Sequence, residues 1–185
     1  MISLPNQRSL LTYDQVGAFG LNVIGISYAQ SVNLLMVMNG MGVVGRIIPN
    51  FLADRKFGPF NTIIPFAFIT GLLVFFWALV DSPGGLYAFA VIYGLLSAVF
   101  QGLFPATMSS LTKDMRKAGV RNGMGFAIAG VAALTGPPIA GALVQVNGGN
   151  YRLAQMWAGS VVTLGGMVLV AGRISKTGWV FRQRV

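Results

Sequence analysis

The feature that most constrains this chain is a set of long runs without charge. Residues 62–80, 86–111, 122–146 and 153–172 contain no Asp, Glu, Lys or Arg, and 32–53 contains only Arg46. A helix crossing the hydrocarbon of a bilayer needs about 20 predominantly apolar residues, and each run reaches that length. None carries the single apolar stripe and opposite wet face of a surface helix. The expected fold is an all-α integral membrane protein with about five transmembrane helices, near 32–53, 60–80, 86–111, 122–146 and 153–172. Charged residues are 9% of the chain and mean hydropathy is +0.70. A soluble domain carries about 25% charged residues, so a water-facing surface of this size cannot be covered.

The ends read differently from the bundle. Residues 15–30 are uncharged, but the run is short and holds Gly17, Gly20, Asn22, Gly25, Ser27 and Tyr28. Residues 1–31 are therefore read as a truncated N-terminal segment, the remnant of a helix plus a non-cytoplasmic loop, with a short sixth span as the alternative. Residues 1–12 lack the basic start and apolar centre of a signal peptide. Residues 173–185 are expected to form a basic cytoplasmic tail.

Residue usage excludes whole classes of chemistry. The chain has no His and no Cys, so zinc sites of the usual kind, thiolate nucleophiles, disulfides and Ser-His-Asp triads are all out of reach. No metal or cofactor is expected. An intramembrane enzyme would want paired ionisable groups within a span, and only Arg46 is there, so no enzymatic activity is expected. The net charge of +9 does not point to nucleic acid, because the basic residues fall in short runs between apolar stretches rather than on one folded face.

Those basic runs set topology instead. The linker after the first span reads Asp54-Arg55-Lys56, and the one after the third holds Lys113, Arg116, Lys117 and Arg121; Arg173, Lys176, Arg182 and Arg184 follow the last span. The alternate linkers contain only Arg152. Cytoplasmic loops carry the Lys and Arg excess, so these linkers and the C-terminus are expected to face the cytoplasm, with the plasma membrane as the default location.

Arg46 is the one charge expected at membrane depth. It stands eight residues before Asp54, roughly 12 Å along a helix, which puts it a little inside the midplane. A guanidinium there is costly and tends to face a bundle interior or a wet cavity; snorkelling to the interface is the alternative. Asn39, Gly42, Arg46 and Asn50 follow at spacings of three and four and so share a stripe, opposite Val37, Met41, Val44, Ile48 and Phe51. A fixed guanidinium suits an anionic group, above all a carboxylate, through two parallel hydrogen bonds. Asn39 joins Arg46 as a candidate for substrate binding, and the third span adds Tyr93 and Gln101, with Ser97 and Thr107 weaker. Each of these taken alone fits packing or interhelical hydrogen bonding equally well.

Glycine is abundant, 25 residues in all, and much of it lies within spans. Small residues let helix backbones approach closely in lipid, so tight packing accounts for most of it. Gly136-Pro137-Pro138, followed by Gly141, is different. Two prolines in mid-span remove backbone donors, so a kink or opening is expected there, as in helices beside a cavity or a moving interface.

These motifs together resemble the C-terminal half of a major facilitator superfamily transporter, most closely its monocarboxylate-porter-like branch of fungal type. The residues that carry the resemblance are Asn33, Asn39-Gly40, Gly45-Arg46-Ile47-Ile48-Pro49, Leu52-Ala53-Asp54-Arg55, Phe60-Asn61 and Gly136-Pro137-Pro138 with Gly141, over roughly residues 15–185. The resemblance implies a secondary transporter of small organic anions, either monocarboxylates or secondary-metabolite acids. It further implies alternating access, Arg46 on the substrate carboxylate, and Asp54, Arg55 and Gly58 in a cytoplasmic gating loop. Gly58 comes one residue later than in the branch's usual loop, and Asn50 replaces a glycine. The resemblance also implies protons as a coupling ion, but Gly42 stands where coupled porters carry an acid, and no span contains Asp or Glu. The implied partners are the lipid bilayer, the anion and a missing six-helix N-terminal half, so the chain reads as a fragment. A truncated half-porter or membrane subunit that does not itself transport is the alternative.

Overall fold

The computed structural model describes residues 12–53, 55, 58–110, 112 and 115–177, with the side chains of 12–14, 115, 176 and 177 excepted. The described chain is helical throughout: α1 (Thr12–Phe19), a π-helical turn (Gly20–Ile24), α2 (Tyr28–Leu52), α3 (Pro59–Trp77), α4 (Pro83–Ser110), a 3-10 turn (Met115–Lys117), α5 (Ala118–Val146) and α6 (Arg152–Thr177). Five of these, α2 to α6, are long and apolar enough to cross a membrane. Residues 15–24 form a shorter apolar helix that does not reach spanning length. Asp54 of the expected gating loop lies outside the described residues, as do Lys56, Lys113, Arg182 and Arg184.

Local chemistry sets the helix ends. The Ser27 hydroxyl accepts from the Gln30 amide at 3.3 Å and the Gln30 Oε1 accepts from the Ser27 amide at 2.9 Å. This reciprocal cap starts α2 at Tyr28, ahead of the first long apolar run. Gly58 holds φ +82 immediately before Pro59, a left-handed conformation that turns the chain from α2 into α3 and that a side chain would strain. Between α5 and α6, Gly148 and Gly149 hold φ of +63 and +90, and the Asn150 Oδ1 then accepts from the Arg152 amide at 3.0 Å.

Helix α4 is the hub, packing on α2, α3 and α5, while α6 packs mainly on α3. The α2–α4 seam is backbone on backbone. A Cβ on Gly94 would lie 2.5 Å from the Met38 carbonyl oxygen, and one on Gly45 would overlap the Leu95 carbonyl. Such close approach replaces the hydrophobic drive that lipid cannot supply. At the end of the bundle where α4 begins, an aromatic chain joins four elements. Phe19 meets Trp77 and Tyr151 edge-on at 5.5 and 5.4 Å, Trp77 stacks on Phe89 at 5.4 Å, and Phe89 stacks on Tyr93 at 5.4 Å.

Two features differ from the sequence expectation. Helix α5 runs unbroken from Ala118 to Val146 through Pro137 and Pro138, so the prolines do not open it into two halves. Each removes one backbone donor, but neighbouring turns hold the helical path. The other concerns Arg173, expected at the start of a basic cytoplasmic tail. Arg173 lies within α6, is 7% exposed, and its Nε donates to the Asn61 Oδ1 of α3 at 2.5 Å. A guanidinium with a side-chain acceptor on the neighbouring helix can stay buried where a tail residue would be solvated.

Candidate functional site

The α2–α4 seam brings two of the expected site residues together. Gly45 sits in the seam against Leu95, which turns the next residue, Arg46, onto the open flank. Gln101 projects from α4 beside it, and its Oε1 accepts from the Arg46 Nη2 at 2.5 Å. Both side chains are exposed within this bundle. Gln101 is neutral and accepts through its Oε1, and no carboxylate among the described residues pairs with Arg46. That one bond engages a single guanidinium nitrogen of Arg46.

The rest of the expected stripe divides. Gly42 is buried and belongs to the seam, where a Cβ on it would lie 3.5 Å from the Ala98 Cβ. Asn39 is exposed on the same flank as Arg46, seven residues away or about 10 Å along the axis, and its Nδ2 donates back to the Leu35 carbonyl at 2.9 Å. Asn50 is partly buried against Gly102, and its Oδ1 has no hydrogen-bond partner. Val44, Ile48 and Phe51 are exposed as well, so the polar flank is one side of an uncovered surface rather than the wall of a closed cavity.

Tyr93 is placed elsewhere. It stacks on Phe89 and lines a crevice of about 400 Å³ between α3, α4 and α6, with Thr70, Ser97, Phe104 and Gly166. Thr107 is 1% exposed and donates to the Leu103 carbonyl of its own helix at 2.7 Å. The Thr107 hydroxyl is therefore spent within α4.

Around the expected gating loop, the Arg55 guanidinium lies 4.4 Å from the centre of the Phe51 ring one turn back. Gly58 makes the turn into α3, its amide donating to the Ala53 carbonyl at 2.8 Å. On α5, Gly136 and Gly141 have nothing among the described residues within 4 Å of where a Cβ would stand, while Pro137 is partly buried and Ala140 is buried. Only 6% of the most apolar window of α5 is buried, against 44% for α3 and for α4.

The sequence reading missed two polar features. One is Arg173 with Asn61, separated by 112 positions, a distance at which no local pattern links two residues. The other is a crevice of about 470 Å³ at the opposite end of the bundle, lined by Asp81, Arg152 and the buried Gln155. A Gln inside the apolar run 153–172 was its one visible signal.

No family model matches the chain, and no solved structure matches it. Curated proteins do. An MFS-type transporter of Gibberella zeae is 40% identical over 150 residues, 81% of this chain and 34% of the relative. The aspyridones efflux protein apdF of Emericella nidulans is 31% identical over 81% of this chain and 30% of the relative. The MFS transporter asaE of Aspergillus flavus is 32% identical over 89% of this chain and 36% of the relative. The chain thus spans about a third of the length of the curated relatives it matches. With five apolar spans and this set of homologues, the family that the chain's relatives support is the major facilitator superfamily of membrane transporters.

Proposed function

We propose that this chain supplies the C-terminal six-helix side of a secondary transporter for small organic anions of the monocarboxylate-porter-like kind. Substrate would lie against Arg46, with Gln101 orienting the guanidinium and Asn39 as a further donor on the same flank. The observation that carries the reading is the Arg46–Gln101 pair itself. It is a cation set on an uncovered polar flank, held by a neutral partner from the next helix. The buried Arg173 also pairs with a neutral side chain, Asn61, so it is the exposure of Arg46 that favours a ligand role.

Alternating access is the mechanism proposed, and the uncovered surface supports it. Flanks of α2 and α4 and most of α5 carry exposed apolar residues such as Ile47, Ile128 and Leu134, the surface against which a complementary half would rock around a midplane site. Asp54, Arg55 and Gly58 would latch and release helix ends at the cytoplasmic side, with the C-terminus on that side and the plasma membrane as location. Proton symport would need its titrating acid from the complementary half, because the spans here offer none. One relative is named as an efflux protein for aspyridones, which favours export over import.

The test is labelled-carboxylate flux in proteoliposomes, comparing this chain alone with this chain joined to a complementary six-helix half. The proposal expects flux only in the joined form. Flux at background in both forms would instead make the chain a non-transporting half-porter.

A further inference from the structure

We propose that the crevice at the start of α4 and α6 is a second ligand site, one that takes a small zwitterion with a carboxylate at one end and an ammonium at the other. Three elements and two turns build it. Phe19 of α1, Val23 of the π-helical turn and Ala78 after α3 give apolar walls; Asp81, Arg152 and Gln155 bring the polar chemistry. The Asn22 Nδ2 donates to the Tyr151 hydroxyl at 3.1 Å, tying the π-helical turn to the α5–α6 turn.

The charges are arranged for a ligand rather than for each other. Asp81 and Arg152 line the same crevice, are both exposed, and form no ion pair with one another among the described residues. Gln155 is 2% exposed, and its Nε2 has no hydrogen-bond partner among the described residues. An amide donor buried without an acceptor is costly unless something arrives to accept from it. Arg152 also opens α6, a helix of 26 residues, whose first turn carries the positive end of the helix dipole. Guanidinium, amide and dipole converge on a carboxylate, while Asp81 is left for an ammonium at the ligand's other end. The crevice volume of about 470 Å³ admits a molecule of a few carbons. Arg46 lies eighteen residues along α2 from Tyr28, roughly 27 Å towards the other end of the bundle, so this site is separate from the one proposed for transport.

The chain in lipid nanodiscs can be titrated with 4-aminobutyrate, butyrate and butylamine by calorimetry. Saturable binding of 4-aminobutyrate is expected, with butyrate and butylamine each weaker by at least about tenfold. Arg152→Gln and Asp81→Asn, both at exposed positions that leave packing intact, should each weaken it by about tenfold or more, and Gln155→Leu should do the same. The proposal is overturned if 4-aminobutyrate does not bind saturably, or if Arg152→Gln and Asp81→Asn bind it as tightly as the parent chain.

Discussion

Where Arg46 points is decided by its neighbour Gly45. With hydrogen as its side chain, Gly45 lets α2 touch the Leu95 carbonyl, and Gly94 returns the contact at Met38. The seam that results fixes the angle at which Arg46 and Gln101 leave their helices. Gly45→Ala or Gly94→Ala must push the backbones apart, and an overpacking cost of about 1–3 kcal/mol is expected. Gly136→Ala meets open space and should be neutral or slightly stabilising. Thermal unfolding of the three variants in nanodiscs checks this; equal midpoints would show that the seam does not hold the bundle. At this scale the sequence was half legible. Arg46 stood out because charge is costly in lipid, and its spacing to Asn39 was readable. Which side of α4 Tyr93 and Gln101 occupy was not, because a span apolar all round carries no record of which face meets which neighbour. Arg173 was misread for a related reason. Its helix continues past the uncharged run, and its acceptor, Asn61, lies on another span.

Helix α5 is the element least explained by this chain alone. It has the length of a span but little buried surface, and its glycines at 123, 130, 136 and 141 face nothing within 4 Å. In isolation it should be the first helix to open. Amide hydrogen exchange in nanodiscs should show α5 less protected than α3 and α4, and the difference should shrink when a complementary half is present. Pro137 and Pro138 sit inside its continuous run. Replacing both with Ala restores two backbone donors, so helicity should hold or rise slightly by circular dichroism, while flux in the joined form should fall if the segment must bend. A loss of helicity would mean that the prolines maintain the helix. Span existence was the most legible level, since length and the absence of charge are direct consequences of the bilayer. The continuity of α5 was not, because proline chemistry alone does not say whether a kink opens.

For the whole molecule, the polar and uncovered surfaces divide along the bundle. Arg46 and Gln101 lie on the flank left open beside α2 and α4, Arg173 and Asn61 join α3 to α6 where α3 begins, and the zwitterion crevice occupies the opposite end. The charged flank of this bundle is uncovered, and the chain matches about a third of each relative. The most direct test joins this chain to a complementary six-helix half and measures uptake of a labelled small carboxylate into proteoliposomes, with and without Arg46→Ala. Loss of the guanidinium should lower flux by about tenfold to a hundredfold, with Arg46→Lys intermediate because charge survives without the planar fork. Equal flux in the parent and in Arg46→Ala would contradict the assignment of Arg46 to the substrate.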